Sequence, residues 1–195
     1  MDKSINSINA DNSINSKETN ISLSSENQNQ LNQDIQNKII QSIVTSLQKI
    51  INGNIKNIPN FIEKLKKKKN KDIFFNVIPN ISLEQYINRL ILYTKMEIST
   101  LIISIIYIDR FCYKNNYDLS YYNIYRLLLT SCLLSIKFNE DIKFDMKIYS
   151  DIAGVPIILL KQLEEIMFFY IDYRLYVNEE DYKSYYSFFL KTSNN

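Results

Sequence analysis

The side chains able to carry chemistry are few in this chain, and the first fact about them is an absence: it contains no histidine and no tryptophan. Without His, no Ser/His/Asp or Cys/His nucleophile can be assembled and no His-ligated metal site can form. Two thiols remain, Cys112 and Cys132. Both lie in apolar helical text, lack metal-ligand spacing and suggest no disulfide framework. They read as buried small hydrophobes in a reducing compartment. There is no Gly-rich phosphate loop, and no paired acids fall at helical spacing on an apolar face. The reading is of a chain that is not an enzyme and holds no metal and no cofactor.

The charges are nearly balanced, 23 Lys and Arg against 21 Asp and Glu, for a net +2. That balance announces neither nucleic acid nor an anionic membrane as a partner. One concentration stands out: Lys64, Lys66 to Lys69 and Lys71. It reads as a solvated linker or helix end; a nuclear-import or phosphate-binding patch is the minority alternative. The residues in excess (Asn, Ile, Lys and Tyr) share codons rich in A and T, so an AT-rich genome accounts for the bias without any function. Apolar residues make up 46% of the 195, enough for one domain plus an appendage. The longest apolar run, about Leu101 to Ile108, is far short of the roughly 20 residues that cross a bilayer. Residues 1–30 carry no secretory h-region. The expectation is a soluble, intracellular protein in the nucleus and/or the cytoplasm.

The elements that must position these charges follow from periodicity. Residues 1–30 are Asn/Ser-rich and bury too little to offset chain entropy, so they are expected to be a disordered tail. Residues 31–71 read as an amphipathic helix and a Lys-rich linker. Ile35, Ile39, Ile40, Ile43, Val44, Leu47, Ile50 and Ile51 recur at helical spacing, with Asp34 able to cap the start and Gly53 ending the pattern. From Pro79 the text is densely helical. Ser82 and Gln85 form a capping box, and Ile81 and Tyr86 a hydrophobic staple, opening a first helix to about Tyr93. Ser99 can cap a second, to about Tyr113, and Ser120 a third, to about Phe138.

That third helix carries no charge from Leu127 to Ile136. A helix apolar around most of its circumference belongs in the middle of a bundle. Thr130, Ser131, Cys132 and Ser135 let neighbours approach closely, and their hydroxyls can bond carbonyls of the preceding turn. A short fourth helix spans about Asp145 to Ala153, with Gly154 as a left-handed stop. Pro156 suits the first turn of a fifth, to about Tyr170. Asn178 caps a last helix with Asp181 at its third position, to about Leu190. The fold class is all-α: five helices, with one more before them and one after, and a core domain over residues 72–190.

This layout resembles the cyclin box. Ile106-Tyr107-Ile108-Asp109-Arg110-Phe111 resembles the cyclin "YIDRF" of the second helix. Ser135-Ile136-Lys137-Phe138-Asn139-Glu140 resembles the "ASKFxE" that ends the third. Leu163-Glu164 resembles the "LE" or "ME" of the fifth. The subtype is similar to the single-box P/U-type cyclins, named for the phosphate pathway of fungi. Tyr125 to Ser131 is similar to their "HRLLLTS", and Ile152 to Pro156 with Leu160 to Glu164 to their "VGGIS…LNxLE". Asp172 to Val177 is similar to their "DFxLYV", and Ile87 to Leu90 to their "YLxRI". The likeness covers about residues 79–178. Asn139 departs from it, standing where many cyclins have an acid, and the connection from the first to the second helix is short, as in the single-box group.

The resemblance implies a regulatory subunit that binds and activates a cyclin-dependent protein kinase as a heterodimer, by docking on the kinase αC helix. It implies that Lys137 and Glu164 lie together and contact kinase main chain. A lysine donates and a glutamate accepts, so the pair can satisfy both kinds of backbone group. Read from the residues alone, Lys137 is a cation complementing a helix C-terminus. Leu134, Phe138, Glu140, Glu165, Phe168, Tyr173 and Leu175 match positions where cyclins touch the kinase, and for the apolar ones a core role stands equally open. Asp109 is implied to pair with Arg89 as a structural ion pair, since a buried carboxylate needs a cation; Arg110 is left exposed. The rival readings are a helical adaptor or scaffold without kinase activation, a small helical enzyme, and a two-box transcription factor.

Overall fold

Among the residues that the computed structural model describes, 8–55, 72–141 and 143–192, the chain forms seven α-helices and no strand. They are α1 (Ile8–Ile55), α2 (Leu83–Thr94), α3 (Ile98–Asn115), α4 (Ile124–Asn139), α5 (Met146–Ala153), α6 (Ile157–Tyr170) and α7 (Glu179–Thr192). The lysine run from Lys64 to Lys71 lies outside the described residues. The chain divides into two compact units, Met1–Lys38 and Ile39–Asn195.

In the first unit the helix begins much earlier than expected. Residues 8–30, read from composition as disordered, are helical, and Asp34 does not cap the start. It accepts instead from Gln30 Nε2, one turn back, at 3.3 Å. Between residues 8 and 52 there is no Gly or Pro. Once a helix has a nucleus, each added residue costs little, and Ser and Asn are weak formers rather than breakers.

The second unit is built around α4. Apart from Arg126, every α4 residue from Ile124 to Ile136 is buried. Enclosure on all sides is what the uncharged stretch demands. Helices α3 and α6 pack on it, α2 touches it, α5 bridges α2 and α6, and α7 lies on α3. From Ile39 onward α1 adds its own stripe, with Ile39, Ile43, Leu47 and Ile51 buried and Ile50 turned out. Two side chains tie it to the rest: Gln41 Nε2 donates to Glu84 Oε1 and Asn54 Nδ2 to the Leu119 carbonyl.

Small hydroxyl residues allow the close packing. Thr130 donates to the Arg126 carbonyl and Ser131 to that of Leu128, within α4. Ser135 does something else: its Oγ crosses to the Thr100 carbonyl of α3 at 2.8 Å, joining two helices. Cys132 lies against Ser104 Oγ on the same seam, and burial pushes its thiol up to about 12. Cys112 is raised to about 12 by burial and by Asp109 and Asp118.

The caps show where local signals suffice. The Ser82–Gln85 box is formed in both directions. Asp145 caps α5, Gly154 takes φ +66° at its end, and Asn178 accepts from the Asp181 N–H at 2.7 Å. Two expected caps shift. Helix α3 starts two residues early, at Ile98 with Glu97 as its cap; Ser99 is inside it and bonds the Glu97 carboxylate. Helix α4 starts at Ile124, because Ser120 lies in a preceding turn where Asn123 Oδ1 accepts from the Ser120 N–H. Pro156 precedes α6 as its cap rather than occupying its first turn.

Two outcomes are expected. Ser135→Leu should destabilise by about 2 kcal/mol or more, since it overpacks the α3–α4 seam and removes a cross-helix bond, while Ser135→Ala should cost about 1 kcal/mol; urea unfolding measures both. Because the folded thiols ionise only near 12, the unfolded chain releases its thiol protons first as pH rises past about 9. The thiol contribution should therefore be level from neutral pH to about 9 and fall between about 9 and 12, with the tyrosines that burial shifts upward acting in the same direction, as thermal melts across that range would show.

Candidate functional site

Where α4 emerges from the core, its last turn forms one wall of an open groove with a cavity volume of about 380 Å³. Leu134, Lys137 and Phe138 project from α4 at spacings of three and four residues. The opposite wall is one face of α6, with Lys161, Glu164, Glu165 and Phe168 in the same kind of series. Leu175, from the segment after α6, completes the lining.

That segment, residues 172–178, is a strap held in place by α3. Asp172 and Tyr173 both adopt left-handed backbone, φ +56° and +59°, which turns the chain sharply out of α6. Lys114 pairs with the Asp172 carboxylate. Tyr107 then donates from its hydroxyl to the Leu175 carbonyl at 2.6 Å. Arg110 Nη1 donates to the carbonyls of Arg174 and Tyr176, each at 3.0 Å, and Nη2 reaches Asp181 at 3.4 Å. Tyr107 and Arg110 thus fix the backbone on both sides of Leu175.

The charged floor of the groove is the Lys137–Glu164 pair. Lys137 Nζ lies 2.5 Å from Glu164 Oε1, with the two side chains 36% and 19% exposed. One contact leaves two ammonium hydrogens and the second carboxylate oxygen available, so the pair offers both donors and an acceptor to an incoming backbone. Apolar surface flanks it. Phe138 is 51% exposed, and Phe168 meets Tyr173 edge-on with centroids 4.8 Å apart. The groove presents hydrogen-bonding capacity and apolar area together. Among the described residues no group of His, Cys, Asp and Glu could hold a metal ion.

Of the residues read from the sequence as one surface, Leu134, Lys137, Phe138, Glu164, Glu165, Phe168 and Leu175 come together here. Tyr173 stands beside the groove through its contact with Phe168. Glu140 does not line it: its Oε1 accepts the Glu97 N–H at 2.9 Å, where a carboxylate meets the positive N-terminal end of α3. Asn139 also turns away, donating to the Ser135 carbonyl.

The expected Arg89–Asp109 ion pair is not formed. Asp109 is exposed and accepts from Tyr185 Oη at 2.6 Å; burial, reinforced by this carboxylate, pushes the Tyr185 hydroxyl up. Arg89 is exposed too, its guanidinium 6.0 Å from the Tyr93 ring centre. The two positions after the buried Ile108 are in effect exchanged: Asp109 faces outward toward α7, and Arg110 is the part-buried one that does structural binding. Sequence reasoning missed that role of Arg110, and it missed Lys161. The signal for Lys161 was its spacing of three, four and seven from Glu164, Glu165 and Phe168.

The family model for Cyclin matches residues 2–175. Cyclin-U2-1 of Arabidopsis thaliana is 31% identical over 109 residues, covering 55% of this chain and 49% of its own length. Cyclin-U4-3 of the same plant is 28% identical over 160 residues, covering 80% and 71%. Cyclin-P3-1 of rice, Oryza sativa subsp. japonica, is 28% identical over 107 residues, covering 55% and 45%. The chain thus spans about half the length of the first and third of these relatives. With a cyclin sequence match over most of its length, an all-helical fold around α4, and relatives of the U and P groups, the chain belongs to the cyclin family and is of the P/U type.

Proposed function

We propose that this cyclin is the non-catalytic regulatory subunit of a cyclin-dependent protein kinase, and that the α4–α6 groove receives the kinase αC helix. The observation that carries the proposal is the Lys137–Glu164 pair, set at 2.5 Å in the floor of a groove otherwise lined by Leu134, Phe138, Phe168 and Leu175. Apolar side chains of the kinase helix would fill the groove, while Lys137 and Glu164 bond its backbone ends or the adjoining loop.

The mechanism is a shift in population. A helix seated in the groove is held inward, which completes the kinase's own Lys–Glu ion pair and favours an ordered activation loop. The cyclin contributes only its stronger binding to that active arrangement. A groove of this size is the centre of such an interface, which should bury more than ~1,200 Å² in all.

Two results are expected. Lys137→Ala/Glu164→Ala should weaken kinase binding by roughly 30-fold, about 2 kcal/mol, since the pair is part-exposed and its contacts are charge-assisted. A pull-down with a kinase assay on the eluate tests this, with circular dichroism confirming the fold. A helical adaptor that activates no kinase would tolerate the change. Second, Tyr107→Phe combined with Arg110→Ala should release the strap, lowering the melting transition through the lost hydrogen bonds and lowering kinase affinity about tenfold at a temperature where the chain stays folded; an unchanged affinity would show that the strap's position is immaterial.

A further inference from the structure

The groove holds two charged side chains that its floor pair does not use. Lys161 and Glu165 both line it, one turn apart on α6, and both are exposed. Their spacing would permit an ion pair along the helix. Lys147 and Asp151 of α5, in the same order and at the same spacing, do pair, at 3.3 Å. Lys161 and Glu165 do not: neither has an ion-pair or hydrogen-bond partner among the described residues. The groove therefore has a free positive charge toward the start of α6 and a free negative charge about 6 Å further along, at the edge of its apolar surface.

From this arrangement we infer that Lys161 is a specificity-determining residue of the groove, selecting a kinase helix that carries an acidic side chain opposite Lys161 and a basic one, a turn away, opposite Glu165. The inference rests on the kinase reading and goes further, because it states the charge order of the occupant and hence the direction in which its helix lies. An apolar groove alone would accept an amphipathic helix in either direction. Two opposite charges along one wall remove that ambiguity: the reversed helix sets acid against Glu165 and base against Lys161, and like charges brought together at a part-desolvated interface are costly. The floor pair does not discriminate in this way, since Lys137 and Glu164 neutralise each other and offer hydrogen bonds that any backbone can use.

The test uses the full chain and the individual cyclin-dependent kinases of its source, each purified and titrated by biolayer interferometry at two salt concentrations. For whichever kinase binds, Lys161→Glu should weaken affinity at least tenfold and Lys161→Arg should leave it within twofold. An acid-to-lysine replacement on the kinase helix should restore binding to Lys161→Glu while weakening binding to the unaltered chain. Such a reciprocal rescue is something a merely structural role could not produce. If a kinase binds but Lys161→Glu binds it equally well, the inference is overturned and the kinase reading stands. If no kinase binds the unaltered, folded chain, both are overturned together.

Discussion

Enclosing the uncharged stretch of one helix, Leu127 to Ile136 of α4, is the constraint on which the rest of this structure depends. That stretch has no charged face to give to water, so helices must cover it, and they can approach closely only because Thr130, Ser131, Cys132 and Ser135 are small. Each hydroxyl brought into that seam needs an acceptor, since a buried unpaired polar group costs about 1–3 kcal/mol. Main-chain carbonyls supply them, and for Ser135 the carbonyl belongs to the neighbouring helix α3. Packing and polar satisfaction are thus met by the same few residues.

The site follows from where that enclosure ends. The last turn of α4 leaves the core with Lys137 and Phe138, while α6, which covers one side of α4, continues alongside and presents Glu164. A groove forms because none of the described residues fills the angle between them. Leu175 joins its lining from a strap that has no regular structure of its own. Two residues of α3, Tyr107 and Arg110, hold it through backbone carbonyls, and Lys114 adds a pair with the Asp172 side chain. Core, wall and strap form one mechanical unit.

Much of this was legible in the residues and some was not. Helix α4 was visible as a run without charge, and the caps of α2, α5 and α7 were visible because capping depends on side chains within three residues. The groove could be anticipated only through the resemblance, since Lys137 and Glu164 are 27 residues apart and no local rule joins them. The Arg89–Asp109 pairing failed for a rotational reason. In α3 Asp109 falls on the outer face and Arg110 at its margin, an angle that composition does not reveal. The N-terminal helix from Ile8 was missed because weak helix formers with little to bury look like a disordered tail.

The central claim, that the α4–α6–strap groove is where the kinase docks, is tested most directly by amide hydrogen exchange on the chain alone and mixed with its kinase. Binding in the groove predicts slowed exchange at the end of α4, along α6 and in residues 172–178, with α7 unchanged. Protection concentrated on α7 or α2, with the groove exchanging as in the free chain, would contradict it.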